Sequence, residues 1–246
     1  MGPVDGAQEE YRFGKPLEEG IVLSRPNRFI MEVMVGKRTI RCHCPTTGRL
    51  GGFKISDVPC LWSRAEGGSR KTRGTVEAIS FDPPGRRRKS WVGINQNAAN
   101  RYVEFFLRAG RMPEIAAGEV RREVRLGSSR IDFLVGTTYL EVKTPLIVLP
   151  MVKGLEKAPH SRFDSFDRLI RHMGELGSAL GEGRRAVILM CYLYDAAPFK
   201  APPEDRYNAR ILAAARRAAE LGVERWQANF RVGPRGVGLL RYFRNG

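Results

Sequence analysis

The hydrophobic pattern changes character near residue 95, and this change limits the folds open to the chain more than any other feature. Before it, short alternating segments such as RFIMEVMV and TVEAISF are separated by turns, with Gly36 and Lys37 as one predicted hairpin turn. After it, NAANRYVEFFLRAG carries apolar residues at helical spacing and stops at Gly110. The pattern predicts an α+β protein with a small β-barrel or sandwich over residues 1–95 and an α/β domain over residues 96–246.

Within the second part, strands and helices are predicted from runs of different period. Strand patterns cover residues 120–126, 130–135, 139–144 and 186–194. A helical stripe runs from Phe163 to Leu180, and the Ala-rich segment PEDRYNARILAAARRAAELG predicts another helix that ends at Gly222.

The charge balance is the strongest indication of a partner. The chain has 42 Lys and Arg against 26 Asp and Glu, a formal net charge of +16. Such an excess favours a polyanionic partner, because each neutralised phosphate releases counterions. We therefore expect nucleic acid as the partner. The alternative is a basic soluble protein whose charge is simply dispersed over its surface.

Segments that would target a membrane are not predicted. Apolar runs such as AVILMCYLY are much shorter than the roughly 20 residues that cross a bilayer, and the N-terminal residues have no apolar signal-peptide core. We expect a cytoplasmic protein without a membrane partner. The sequence leaves a homo-oligomer open.

The four cysteines do not suggest a disulfide framework, because they are few and irregularly spaced. Cys42, His43 and Cys44 resemble a zinc-ligand cluster. On a strand, however, alternation would point the two thiols to one face and the imidazole to the other, so a structural zinc site is the lesser alternative.

The segment RIDFLVGTTYLEVK holds the best candidate for chemistry. Alternation separates its apolar from its charged side chains, with Ile131, Phe133, Val135, Leu140 and Val142 on one face of the strands and Asp132, Glu141 and Lys143 on the other. If Gly136 and Thr137 form a two-residue turn, counting back along the strands places Asp132 opposite Glu141. Directly opposed residues have Cβ atoms about 5 Å apart.

Two carboxylates in that position predict a bound divalent cation, Mg²⁺ or Mn²⁺, because like charges facing each other on a sheet are destabilising. Lys143 would then orient or deprotonate the attacking water and stabilise charge on a phosphate. The competing interpretation is a structural ion pair in which Lys143 neutralises the two acids without a metal.

Four motifs together resemble the sugar fermentation stimulation protein family, SfsA. They are IRCHCPTTGRL, GSSRIDFLV, YLEVKT and RLIRHMGEL, and they occur in the family's order. The resemblance implies an N-terminal OB-fold-like barrel, a C-terminal domain similar to PD-(D/E)xK nucleases, and DNA binding. It also implies that Asp132, Glu141 and Lys143 match the nuclease motif and that Glu104 is the acid such enzymes take from the preceding helix, where it would serve as a third catalytic and metal-binding residue.

Two positions in these motifs need separate comment. Thr46 stands where the family has Asn, so a contact that needs the amide is in doubt. His172, in the helix motif, is a candidate phosphate contact, although a His on the polar side of a helix is more often solvated.

The predicted nucleic-acid contacts lie in two basic segments of the first domain. OB-type barrels bind strands through loops and one sheet face, and the loop DPPGRRRK has that character. The contacts predicted on this basis are Arg86, Arg87, Arg88 and Lys89, followed by a second cluster of Arg70, Lys71 and Arg73. Trp62 and Trp91 are expected to be core residues rather than stacking platforms.

The sequence therefore supports two main functions. One is a DNA-binding protein with a metal-dependent site that hydrolyses phosphodiester bonds. The other is a non-catalytic DNA-binding regulator of sugar metabolism genes that keeps the nuclease fold as a scaffold. A sugar- or nucleotide-responsive binding module is a third and weaker reading.

Overall fold

Two β-sheets and three α-helices make up the regular structure of the described chain. The computed structural model describes residues 9–46, 55–66, 71–145, 167–181 and 183–245. The strands within these ranges are β1 (Glu10–Arg12), β2 (Glu18–Asn27), β3 (Ile30–Val35), β4 (Arg38–His43), β5 (Val58–Arg64), β6 (Gly74–Ile79), β7 (Val92–Gly93), β8 (Val120–Leu126), β9 (Ser129–Val135), β10 (Thr138–Lys143), β11 (Arg185–Tyr192), β12 (Glu224–Val232) and β13 (Gly236–Arg244). The helices are α1 (Ala99–Arg108), α2 (Asp167–Ser178) and α3 (Ala209–Glu220), with a short 3₁₀ turn at Gln96–Ala98 before α1.

The first sheet closes into a five-stranded barrel. Five strands in the order β4-β3-β2-β5-β6 form the barrel, which a parallel pairing between β4 and β6 through Cys42 and Gly74 closes, and the short β7 pairs with β6 as a sixth strand of the sheet. The β3–β4 hairpin turns at Gly36, whose φ of +59° suits a glycine. The interior is filled by alternate strand residues, among them Val22, Met31, Val33 and Val76. The predicted β-barrel is confirmed.

The second sheet is mixed and has the order β1-β13-β12-β11-β10-β9-β8. β10, β11 and β12 run parallel, and the other pairs are antiparallel. Helix α1 covers one face, where Tyr102 and Phe106 share a core with Phe133 and Phe230. Helices α2 and α3 cover the other face. The predicted α/β character of this domain is confirmed.

The N-terminal strand departs from the predicted division at residue 95. β1 pairs with β13, with Glu10 opposite Gly238, so it belongs to the second sheet rather than to the barrel. A three-residue strand is too short to show a period, and its partner was not predicted either. β12 escapes prediction because Gln227 and Asn229 are polar yet fully buried, which breaks the expected alternation.

The helices lie close to where they were predicted. α1 begins two residues after Asn97, and α3 ends just before Gly222, whose φ is +101°. The predicted helix from Phe163 is described from Asp167 onward as α2, and Phe163 lies outside the described residues. No helix within the described ranges is long and apolar enough to cross a membrane.

Cys42 and Cys44 point into the barrel core, as strand alternation requires, and His43 is only half-buried. Burial raises the pKa of Cys42 and of Cys60 to about 12. Within the described ranges, no group of three His, Cys, Asp or Glu side chains could hold a metal ion, so the zinc alternative gains no support.

Candidate metal and nucleic-acid site

The turn between β9 and β10 forms at Gly136 and Thr137, as the counting predicted. Val135 pairs with Thr138, and the pairing continues to Phe133 and Leu140. Gly136 has a φ of +55°, and a Cβ atom added there would lie 2.5 Å from the carbonyl oxygen of Ala117. The turn needs glycine for both reasons. Because the connection has only two residues, it fixes the register of β9 and β10.

Beyond the last regular pair, side chains take over the contacts between the two strands. The N–H of Asp132 donates to Oε2 of Glu141 at 3.3 Å, and the N–H of Val142 donates to Oδ2 of Asp132 at 2.8 Å. The predicted neighbourhood of the two carboxylates is confirmed. Glu141 is only 2% exposed, and Asp132 is half-buried.

The faces of β9 differ from the prediction at one residue. Phe133 and Val135 face α1, but Ile131 packs with the residues of α2 and α3. The strand turns over at Asp132, opposite Glu123 of β8, which has a φ of +50° and is missing from the regular β8–β9 pairing. The β8–β9 register is the same on both sides of this point, so the irregularity lies in the backbone conformation and not in an inserted residue.

Because of this twist, Asp132 reaches toward α1 while Glu141 reaches toward α2. The amide of Asn100 in α1 donates to Oδ1 of Asp132 at 2.8 Å. Oε1 of Glu141 lies 2.5 Å from Nζ of Lys143 and 2.6 Å from Nδ1 of His172 in α2.

His172 is therefore placed differently from both alternatives considered for it. It is 2% exposed, so it is neither solvated nor open to a phosphate from the surface. Its neighbours explain the position: Arg171 contacts the Ser129 hydroxyl at 3.3 Å, and Glu175 accepts from the N–H of Ser128 at 2.9 Å. Helix α2 thus binds β9 and β10 through several polar contacts. Lys143, with 27% of its side chain exposed, remains open to a ligand.

The electrostatics of the pair favour a cation. Burial, followed by the charge of Glu141, raises the pKa of Asp132 above its usual range, against the hydrogen bonds from Val142 and Asn100 and the charge of Lys143. Carboxylate oxygens suit Mg²⁺, which is often held by one or two carboxylates together with waters and substrate phosphates. Among the residues that the structure describes, no three His, Cys, Asp or Glu side chains meet in an arrangement that could hold a metal ion.

Glu104 does not join the two acids. It lies one helical turn beyond Asn100 on α1, but its carboxylate is held by Arg108 at 3.0 Å and by Arg122 of β8 at 3.1 Å. As a third ligand Glu104 would have to leave these two arginines, and that role stays a prediction. Asn100 is the α1 residue that contacts Asp132, and its spacing of four from Glu104 is the sequence signal that points to it.

Of the four basic residues predicted in the barrel loop, two form ion pairs within the protein and two are exposed to solvent. Arg86 pairs with Asp82 at 2.7 Å, and Lys89 pairs with Glu19 at 2.6 Å with only 5% of its side chain exposed. These two cations hold the loop closed, so Lys89 is not the open phosphate contact that was predicted. Arg87 and Arg88 are exposed and have no hydrogen bond or ion pair to another described residue.

The second basic cluster is described only in part, because Arg70 lies outside the described residues. Lys71 and Arg73 are exposed, and the N–H of Arg73 donates to the carbonyl of Arg41 on β4 at 2.9 Å. Trp62 is buried in the barrel core, as expected.

A polar chain connects the barrel with the end of β10. The hydroxyl of Thr46 contacts Oε1 of Gln96 at 3.1 Å, and the Gln96 amide donates to the carbonyl of Thr144 at 2.6 Å. Thr46 is fully buried, and Thr144 directly follows Lys143. The residue that replaces the family's Asn thus has a defined partner between the two domains.

Family models match both parts of the chain. The model described as SfsA N-terminal OB domain matches residues 23–94, and the model described as Sugar fermentation stimulation protein RE domain matches residues 97–236. This chain belongs to the SfsA family. The predicted resemblance and the OB fold of the barrel are confirmed.

Relatives and a solved SfsA structure agree with this assignment. A sugar fermentation stimulation protein homolog of a Synechococcus species is 32% identical over 233 residues, which cover 92% of each chain. A homolog of Pseudomonas paraeruginosa is 32% identical over 240 residues, covering 94% of this chain and 97% of the relative. The structure of Pyrococcus furiosus SfsA in complex with Ca²⁺ has the same fold, with a TM-score of 0.69 at 24% identity over 95% of this chain and 98% of that one.

Proposed function

We propose that this SfsA protein binds DNA, holds Mg²⁺ or Mn²⁺ at Asp132 and Glu141, and hydrolyses phosphodiester bonds there. The observation that carries the proposal is the pair of hydrogen bonds by which each of two acids on adjacent strands accepts from the backbone of the other strand, with Glu141 buried and the pKa of Asp132 raised. Such a pair gains stability from a cation. The Ca²⁺ complex of the Pyrococcus furiosus relative adds support for a divalent cation.

The residues present fit a metal of this kind. Asp132 and Glu141 offer hard oxygen ligands, and Asn100 and His172 fix their orientation from opposite helices. A bound Mg²⁺ or Mn²⁺ would supply a Lewis acid that polarises a phosphate oxygen and lowers the pKa of a water molecule.

Lys143 is the residue of the site that can reach a phosphate. Its ammonium group lies 2.5 Å from Glu141, and about a quarter of its side chain is exposed. Placed there, it stabilises the negative charge that builds on the phosphate as water attacks. His172 keeps Oε1 of Glu141 in place and is too deeply buried to contact the DNA itself. We assign it a positioning role.

A specific observation favours the second candidate, a DNA-binding regulator without catalysis. All four carboxylate oxygens of Asp132 and Glu141 already have a protein partner, namely the Val142 N–H, Asn100, the Asp132 N–H, and Lys143 together with His172. A network satisfied by protein groups alone can serve as scaffold.

Cleavage assays with matched variants distinguish the two functions. Purified protein is incubated with single- and double-stranded DNA and Mn²⁺ or Mg²⁺, beside Asp132→Ala, Glu141→Ala and the control Glu123→Gln. Glu123 is an exposed carboxylate on the neighbouring strand, paired with Arg130 at 3.0 Å. We expect cleavage by the wild type and the control and a loss of at least about a hundredfold in both site variants. If no form cleaves while all bind DNA equally, the regulator is the correct assignment.

A further inference from the structure

The tip of the β2–β3 hairpin exposes an aromatic ring. Phe29 is 45% exposed, and the guanidinium carbon of Arg28 lies 4.5 Å from the centre of its ring. A single exposed apolar side chain is ordinary on a protein surface. What distinguishes Phe29 is the structure around it and where that structure leads.

The tip is held in shape by side chains. Oδ1 of Asn27 accepts from the N–H of Phe29 at 2.9 Å, and Arg25 donates to the carbonyl of Arg28 at 2.9 Å and to the carbonyl of Thr46 at 3.3 Å. A ring on a backbone that is already fixed loses little conformational freedom when a partner stacks on it, and this preorganisation favours binding.

Hydrogen bonds and a short backbone segment connect this tip with Thr144, the residue after Lys143. The carbonyl of Phe29 accepts from the N–H of Cys44 at 2.7 Å. Cys44 lies two residues before Thr46, which contacts Gln96, and Gln96 binds the carbonyl of Thr144. The hairpin tip and the end of β10 therefore border the same junction between the barrel and the second domain.

The surface beside the tip is basic. Arg41 projects from β4, the strand that pairs with β3, and the backbone of Arg73 is hydrogen-bonded to it. Arg28, Arg41 and Arg73 are all exposed, whereas Glu32, opposite Arg41, is half-buried and accepts from Ser24 at 2.8 Å. Cations flanking an aromatic ring match a nucleic-acid strand, which presents phosphates at its edge and flat bases between them.

We infer that Phe29 is a stacking platform for an unpaired base of single-stranded DNA, with the neighbouring phosphates against Arg28 and Arg41. The inference rests on the proposed function for its substrate and narrows it: the strand would run from the hairpin tip along the domain junction toward Lys143. A base can stack on the ring only when it is unpaired, so the platform prefers single strands over a blunt duplex.

A second arginine–aromatic pair in the same protein provides the control. Tyr207 is 50% exposed, and Arg206 lies 4.7 Å from the centre of its ring. It has the same kind of contact as Phe29, but Glu204 and Asp205 lie just before the Arg206–Tyr207 pair, and acidic residues there make the surroundings less favourable to phosphate than those of Phe29. The Tyr207→Ala variant therefore shows the effect of removing an exposed, arginine-paired ring that lies outside the proposed DNA path.

The test is equilibrium binding of an oligothymidylate that carries one 2-aminopurine, in metal-free buffer with chelator so that no strand is cut. We expect Phe29→Ala to weaken binding about 5- to 100-fold, Phe29→Trp to retain it, and Phe29→Leu to resemble Ala. Quenching of the 2-aminopurine fluorescence, the signature of stacking, should persist only with Trp and Phe. Tyr207→Ala should bind as the wild type does, and a blunt duplex should not distinguish Phe29 from Ala.

Wild-type affinity and quenching in Phe29→Ala would overturn the inference, and so would equal binding by the Leu and wild-type forms, since Leu keeps apolar surface without a π-face. Because the residue is exposed, unchanged melting temperatures should show that all variants fold. The assay is independent of cleavage. A protein that binds through Phe29 but never cuts DNA would refute the proposed hydrolysis alone, and one that cuts without using Phe29 would refute the platform alone.

Discussion

Asp132 and Glu141 are joined through the backbone as well as by proximity, because the N–H of Asp132 donates to Oε2 of Glu141 and the carboxylate of Asp132 accepts from Val142, the residue after Glu141. The two acids replace the regular strand pairing at the place where it stops at Phe133 and Leu140. Each acid is therefore part of the sheet and part of the site, and substitutions there change stability together with any ligand affinity.

Asp132→Asn should stabilise the protein at neutral pH. Burial and the charge of Glu141 raise the pKa of Asp132, so folding disfavours its ionised form. Below the ordinary Asp pKa of about 3.9, Asp132 is protonated in both the folded and the unfolded wild type, and the stabilities of wild type and variant differ least there. As the pH rises from that value through the raised pKa of the folded state, the wild type loses stability relative to the variant. We expect the variant to gain on the order of 1 kcal/mol in unfolding free energy at pH 7, measured by urea denaturation across pH.

Asp82→Asn is the control of opposite sign. The N–H of Ser90 and the nearby Arg86 lower the pKa of Asp82, so this variant should be less stable than the wild type at neutral pH, and the difference should vanish as the pH falls through the lowered pKa. A destabilised Asp132→Asn whose deficit grows with pH would contradict our account of the acidic pair.

Gly136→Ala should disrupt the turn that aligns Asp132 with Glu141. The positive φ disfavours any side chain, and the new Cβ would meet the Ala117 carbonyl at 2.5 Å. We expect a loss of roughly 1–3 kcal/mol in thermal or urea unfolding. Gly85→Ala, with nothing within 4 Å of the added Cβ, should stay within about 0.5 kcal/mol of the wild type. Equal effects at both positions would show that the turn tolerates a side chain.

The four basic residues of the barrel loop should differ in function according to whether they form an ion pair within the protein. Charge reversal of Arg87 and Arg88 should weaken DNA binding and reduce the salt slope by about 0.7 per lost phosphate contact on single strands. Arg86→Gln and Lys89→Gln should mainly lower the melting temperature, because Asp82 and Glu19 already bind these cations. Affinity measured as a function of salt separates the pairs, and an unchanged slope after the reversal would exclude this loop from the DNA-binding surface.

Thr46 and Gln96 should be energetically coupled. Gln96→Met leaves a buried hydroxyl and the Thr144 carbonyl without their partner, and we expect a cost of about 1–3 kcal/mol. Thr46→Val should cost much less in the Gln96→Met background than alone, giving a coupling of on the order of 1 kcal/mol in a double-mutant cycle of unfolding free energies. Strict additivity would mean that the contact does not join the two domains.

Local patterns predicted the features that depend on local geometry. The Gly136 turn, the register from Val135 to Thr138 and the contact of Asp132 with Glu141 all follow from strand periodicity and turn length. The barrel follows from short strands with turns between them, although alternation alone left a sandwich open. Pairing of β4 with β6 closes it, and a parallel contact between distant strands leaves no mark on either sequence.

The surroundings of the acids depend on tertiary packing and were beyond local patterns. The stripe of α2 includes Met173 and Leu176, and His172 is carried inside beside it only because α2 lies against β10. Glu104 has suitable chemistry and spacing for a ligand, yet Arg122 on another strand captures it. Long-range ion pairs of this kind decide between chemically equal candidates.

Because β1 pairs with β13, the second sheet contains strands from before and after the barrel, and the barrel is an insertion within the second domain. Glu10 can pair with Gly238 only after the intervening chain has been synthesised. β1 therefore lacks its partner strand while the barrel and most of the second sheet are made. Contacts this far apart in sequence slow folding, because loop closure precedes any gain from the contact. We therefore expect the pairing of β1 with β13 to be a late step in folding, and until it forms the edge of β13 is open to pairing with other strands.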